Sequence, residues 1–151
     1  MSNKPKAEYK ADILVVDDEP ENLHVLSHML HLFGYRVRAV SEGAMALSVA
    51  RATPPDLILL DISMPGMDGY ETCQQLKADE RTRDIPVIFI SALVDVEDKV
   101  RAFSVGGVDY IPKPFQIEEV LARLETHLSM RRLQIQLENA NRQLEETNRN
   151  L

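Results

Sequence analysis

Residues 57–60 read Leu57-Ile58-Leu59-Leu60, four apolar residues in succession, and the run closes on Asp61. A stretch apolar on both faces suits a strand covered on both sides, the situation of a parallel sheet flanked by helices, better than an edge strand. Pro65, Gly66 and Gly69 follow and force the chain to turn. In an open α/β sheet, reactive groups sit just beyond the carboxyl ends of the strands. Asp61 therefore stands where chemistry is expected, although this stretch alone also allows an aspartate that merely ends a strand.

The rest of the chain repeats the pattern. Ala11-Asp12-Ile13-Leu14-Val15-Val16 is a second apolar run, ends in Asp17-Asp18-Glu19, and reads as the first strand. Pro20 suits the first turn of a helix, where its missing N–H costs nothing, with Asp18 serving in part as cap. That helix is expected to reach about Phe33 and to stop at Gly34. Residues 35–40 alternate and read as a strand with one wetter face. Ser41 is expected to cap a second helix reaching about Ala52, which Pro54-Pro55 ends. A third helix is expected from about Tyr70 to Ala78, then a fourth strand over 86–90 ending in Ser91-Ala92. A fourth helix over 95–105 is broken by Gly106-Gly107, and Asp109-Tyr110-Ile111 forms a short fifth strand before Pro112-Lys113-Pro114-Phe115. From Gln116 onward there is no glycine or proline, which allows a helix of up to ~36 residues and ~54 Å.

Five strands alternating with five helices predict an α/β fold, a doubly wound five-stranded parallel sheet. Right-handed crossovers leave few topologies, and the flavodoxin-like order 2-1-3-4-5, here with an extended C-terminal helix, fits this length best. At 151 residues, 44% of them hydrophobic, the chain has room for one domain over 11–129 and an extension over 130–151, after a polar leader over 1–10. A net charge of −7 argues against direct nucleic-acid binding, since nothing would neutralise phosphates. The single cysteine, Cys73, fits a reducing compartment and reads as an inert helix residue. No signal-peptide core and no apolar run of ~18 residues appear, so a soluble cytoplasmic protein without a membrane span is expected.

In that sheet order, the ends of strands one, three, four and five are neighbours. They carry Asp17 and Asp18, Asp61, Ser91 and Lys113. Three carboxylates brought together repel one another unless a hard cation such as Mg²⁺ neutralises them. A cation with a lysine and a hydroxyl describes a cradle for a transferring phosphoryl group, with Asp61 as the nucleophile.

The stretches 15–19, 60–69, 91–92 and 110–115, taken in order, resemble the receiver domain of bacterial two-component response regulators over roughly residues 13–128. The resemblance implies Asp61 as phosphoacceptor, taking a phosphoryl group from a sensor histidine kinase or phosphotransfer protein. It also implies Asp18, Asp61 and the Ser63 backbone carbonyl as direct Mg²⁺ ligands, with Asp17 acting through water. Ser91 and Lys113 would hold phosphoryl oxygens, Ser91 and Tyr110 would form the switch, and the Lys113–Pro114 peptide would be cis. Such a module is not itself an enzyme beyond assisting its own phosphorylation. Two other readings stand beside it: a phosphorylation-independent pseudo-receiver acting as a dimerisation scaffold, or a regulatory fragment of a longer enzyme such as a nucleotide cyclase or hybrid kinase. His24, His28 and His31 share helical spacing that could bind a transition metal, but read more simply as a solvated face.

The last helix carries two stripes. Ile117, Val120, Leu121, Leu124 and Leu128 suit packing on the sheet, whereas Met130, Leu133, Leu137, Ala140, Leu144, Thr147 and Leu151 recur as a heptad seam. The step from Leu128 to Met130 turns the stripe by ~200°, away from the sheet. Residues 130–151 are thus expected to form a parallel coiled coil in a homodimer, alone or with the helix 4–helix 5 face, and to lead toward an output domain. Ala140 and Thr147 make the seam modest, and its flanking positions (Gln134, Asn141, Asn148; Gln136, Gln143, Asn150) carry no charge to choose a partner.

Overall fold

Each apolar run becomes a strand because its residues divide between two covered faces. In the computed structural model, which describes residues 8–150, the elements are β1 (Asp12–Val16), α1 (Pro20–Leu32), β2 (Arg36–Val40), α2 (Gly43–Ala52), β3 (Leu57–Leu60), α3 (Gly69–Ala78), β4 (Val87–Ser91), α4 (Val96–Ser104), β5 (Asp109–Pro112) and α5 (Ile117–Arg149). Residues 1–7 of the expected leader, and Leu151 at the end of the seam, lie outside the described residues. The five strands are parallel in the order β2-β1-β3-β4-β5, as the alternation of elements predicts. Alternate residues of each strand feed two cores. Leu14, Val16, Ile58, Leu60, Val87, Phe89 and Tyr110 face one layer with α2, α3 and Ala102 of α4. Ile13, Val15, Leu57, Leu59, Ile88, Ile90 and Ile111 face the other with α1 and α5. The central β3 is buried at every position, which is why its sequence has no polar alternation.

The helix starts differ from expectation in two places. Ser41 does not cap α2: the N-cap is Glu42, without a side-chain cap bond, because Gly43 must pack its backbone against Thr72 and Met67. Asp18 does not cap α1 either. The N-cap is one residue later, Glu19, whose N–H donates to the Asp17 carboxylate, while the Asp17 and Asp18 carboxylates gather with Asp61 beyond the strand ends. Gly34 ends α1 as expected, with a φ of +94° that favours glycine.

α5 runs for 33 residues, about 50 Å at 1.5 Å per residue. Val120, Leu124 and Leu128 bury one side of its first half, each contributing about 2 kcal/mol by removing an aliphatic side chain from water. Beyond Leu128 the helix leaves the sheet. Met130, Leu133, Leu137 and Leu144 are exposed, all on the seam side. The sheet-facing stripe does not stop abruptly: Arg131 and Ile135 overhang the amino-terminal end of the sheet, beside Pro54, Pro55 and Ile85.

Candidate functional site

Parallel register places the site. Val16 pairs with Leu60, so the residues that follow them, Asp17 and Asp61, leave the sheet side by side. The Asp61 N–H donates to the Val16 carbonyl at 2.9 Å, and the Asp17 N–H to the Val40 carbonyl at 3.2 Å, which fixes both backbones. Asp17 and Asp61 are buried and Asp18 is half-buried, and carboxylate oxygens of all three lie within 4.8 Å of one another. Lys113, just past β5, closes the group: its Nζ lies 2.9 Å from Asp17 Oδ2 and 3.4 Å from Asp61 Oδ2.

The electrostatics follow from crowding. Burial, and then the Asp17 charge, push the Asp61 carboxyl up to about 6, against the pull of Lys113 and the Ile62 N–H. Burial alone would lower Lys113, but its bond to Asp17 and the Asp61 charge raise it, so the ammonium stays charged. Three acidic groups with one lysine leave a net negative pocket of hard oxygen atoms, a donor set suited to Mg²⁺.

The loop after Asp61 is held from behind. Asp61 Oδ1 accepts from the Ile62 N–H, and the Gly69 N–H donates to the Ile62 carbonyl at 2.8 Å. A Cβ on Gly69 would stand 2.2 Å from the Asp61 carbonyl oxygen, so only glycine fits there. Asp68 caps α3 by accepting from the Glu71 N–H. Of these two the sequence marks only Gly69, as a turn former. Their contacts with the acceptor loop depend on how the turn folds back, which spacing does not reveal.

Ser91 ends β4 fully buried, with Oγ accepting from the Leu93 N–H at 3.2 Å. Its carbonyl accepts from the Lys113 N–H at 2.8 Å, which ties the two loops together. Tyr110 is buried, and its hydroxyl donates to the Leu93 carbonyl. Lys99 of α4 lies 5.8 Å from the centre of the Tyr110 ring. Ser63 is exposed in the loop after Asp61, and the Lys113–Pro114 peptide is cis. The three histidines of α1 are exposed, and His24 and His28 stack with ring centres 6.4 Å apart, but the three do not form a ligand group: among the described residues the one group of three or more possible metal ligands is Asp17, Asp18 and Asp61. Cys73 is buried, and burial pushes its thiol up to about 11, as an inert core residue requires.

Comparison with known proteins agrees with this geometry. Residues 13–125 match the model of the response regulator receiver domain. The chain is 42% identical over 116 residues to the DNA-binding dual master transcriptional regulator RpaA of Synechocystis, covering 77% of this chain and 48% of that protein. It is 42% identical over 133 residues to a Vibrio cholerae protein named "Probable cyclic di-GMP phosphodiesterase", covering 88% of this chain and 30% of that protein. The chain thus spans half or less of the length of these relatives. Among solved structures, it resembles the receiver domain of the Pseudomonas aeruginosa sensor histidine kinase PA1611, with a magnesium ion coordinated in its active-site cleft. The TM-score is 0.74 at 34% identity, over 79% of this chain and 98% of that one. With the sheet order, the acidic cluster and the lysine beside it already in place, the match over residues 13–125 means that the chain belongs to the response regulator receiver family.

Proposed function

We propose that Asp61 is the phosphoacceptor of this receiver domain, and that the partner is a sensor histidine kinase or phosphotransfer protein. The carrying observation is the cluster of Asp17, Asp18 and Asp61 with Lys113 Nζ 3.4 Å from Asp61 Oδ2. With its carboxyl near 6, Asp61 is mostly ionised at neutral pH and retains a nucleophilic oxygen. That oxygen attacks the phosphorus of a phosphohistidine. The P–O bond to Asp61 forms as the P–N bond breaks, and the imidazole leaves with its electron pair and takes up a proton. Lys113 is placed to neutralise charge on the phosphoryl oxygens and to hold them, and the Ser91 hydroxyl supplies a second donor. Asp18 and Asp61, with the Ser63 carbonyl, would hold Mg²⁺ directly and Asp17 through water; the ion supplies charge neutralisation at the phosphoryl oxygens.

Ser91 and Tyr110 then carry the change outward. A Ser91 hydroxyl drawn to the phosphoryl group releases the Leu93 N–H it now accepts from, in the same loop whose carbonyl receives the Tyr110 hydroxyl. One charge thereby biases two packings of the β4–α4 loop and of the α4, β5 and α5 face. The exposed seam over residues 130–150 supports a parallel homodimer that relays this to an output domain beyond the receiver. Cytoplasmic operation suits a chain in which no described helix is long and apolar enough to cross a membrane. The character of the output, DNA-binding as RpaA is named or enzymatic as the Vibrio relative is named, lies outside residues 13–125.

The test is intact mass. With Mg²⁺ and acetyl phosphate the chain gains one phosphoryl group, and Asp61→Asn gains none. No gain with any small donor or with a kinase would favour the scaffold reading.

A further inference from the structure

The contacts of α4 suggest a second line of communication, one that does not pass through Ser91. α4 is weakly seated: only Ala102 is buried, while Val96, Val100 and Phe103 stand exposed along its outer side. Its middle is tied to the rest of the domain by Tyr70, the second residue of α3, alongside the contact of Lys99 with the Tyr110 ring. Tyr70 is 3% exposed, and its hydroxyl donates to the Asp98 carbonyl at 3.0 Å. Its ring packs against Phe89 of β4 at 6.0 Å between centres, and the Arg101 guanidinium lies over its face at 4.2 Å. A guanidinium at that distance over a ring is attracted by the electron-rich face. Burial and the Asp98 charge push the phenol up to about 12, so it remains a donor across the physiological range.

The other end of this connection is the acceptor loop. Tyr70 follows Gly69 directly, and Gly69 has no clearance from Asp61: its N–H is bonded to Ile62, and there is no space for a Cβ beside the Asp61 carbonyl. Close-packed backbone transmits displacement instead of absorbing it. A shift of Asp61 and Ile62 therefore moves the first turn of α3, and with it the tyrosine that holds α4.

We propose that Tyr70 is a positioning residue that couples the state of Asp61 to α4 from the α3 side, in parallel with the route through Ser91 and Tyr110. The inference rests on Asp61 as phosphoacceptor. It assigns to a residue outside the phosphoryl cradle the task of setting where the exposed stripe of α4 lies. Tyr70→Phe removes the hydroxyl and keeps the ring in place.

Hydrogen exchange read by mass spectrometry tests this on the full chain, unmodified and phosphorylated with acetyl phosphate and Mg²⁺. In the wild type, phosphorylation changes the exchange of residues 93–104. In Tyr70→Phe the phosphoryl mass gain is unchanged, the phosphorylation-dependent change over 93–104 falls at least twofold, and the change over 108–115 is retained. Adding Ser91→Ala to Tyr70→Phe reduces the α4 response further than either substitution alone. A Tyr70→Phe chain whose α4 responds as the wild type does overturns the proposal. So does one whose α4 exchanges faster by the same factor in both states, because that is structural support without coupling. A double variant no weaker than Ser91→Ala alone removes the independence of the two routes. A wild-type chain that gains no phosphoryl mass overturns the Asp61 reading and this proposal with it, whereas loss of the gain in Tyr70→Phe alone overturns only the proposal.

Discussion

Asp61→Asn removes a buried charge that the fold does not favour, so its effect on stability has the opposite sign from most core substitutions. Asp61 is 4% exposed, and its carboxyl is moved from the ordinary 3.8 to about 6, by burial first and by Asp17 second. An acid whose pKa is raised by folding destabilises the folded state wherever it is ionised. The cost is absent below about pH 4, where folded and unfolded chains are both protonated. It grows up to about pH 6 and is constant above. The rise corresponds to about 3 kcal/mol. An asparagine amide facing the Lys113 ammonium recovers part of this, about 2 kcal/mol. With about 2.1 cal/mol/K of unfolding entropy per residue, that raises Tm by about 7 °C. Thermal unfolding in EDTA at pH 7.5 should show the asparagine variant to be the more stable, with the difference vanishing near pH 4. Saturating Mg²⁺ should narrow the gap by stabilising the wild type more. A variant no more stable than wild type at pH 7.5, or equally stabilised at pH 4 and 7.5, refutes the electrostatic reading of the cluster.

Gly69→Ala puts a methyl group 2.2 Å from the Asp61 carbonyl oxygen, with backbone on both sides; it should cost about 1–3 kcal/mol by urea unfolding and slow phosphorylation. Asp79 accepts from Arg81 Nε and Nη2 at 3.1 and 2.8 Å, which holds its carboxyl down at about 2. A depressed acid contributes stability above its ordinary range and loses it as pH falls toward 2, so Asp79→Asn should flatten the urea midpoint between pH 4 and 2. Leu137→Asp with Leu144→Asp places charges in the exposed seam and should leave a folded, phosphorylatable monomer; sedimentation equilibrium showing an undiminished dimer would move the interface onto the receiver face.

The sheet and its order were legible because each strand advertises its own burial: Leu57–Leu60 has no polar position to spare, and Asp61 marks where the covering layers end. The converging polar groups were legible for the same reason, since a parallel register carries residues after neighbouring strands to one edge. Helix caps were less so. Ser41 is a good cap by type, but Gly43 has to approach Thr72, and that tertiary contact moves the start of α2. Tyr70 gave no signal at all, because an aromatic residue in a helix is ordinary core until its hydroxyl is seen to reach Asp98. The two stripes of α5 were visible as a phase change. Their overlap at Arg131 and Ile135 depends on how far the Pro54–Pro55 loop projects, which periodicity does not encode.

α5 begins next to the loop that carries Lys113 and extends past the amino-terminal end of the sheet, which is the geometry of a lever arm. The segment beyond Leu128 has about 20 residues and extends about 30 Å. Tilting its base by about 5° would sweep the free end through about 2.5 Å, more than the width of a hydrogen bond's tolerance. If two such arms are zipped together along their seam, tilt in one is opposed by the other. The motion left to the pair is then a common rotation or a change in the spacing of their bases, and a rearrangement confined to one edge of a sheet is delivered at a distance as torque.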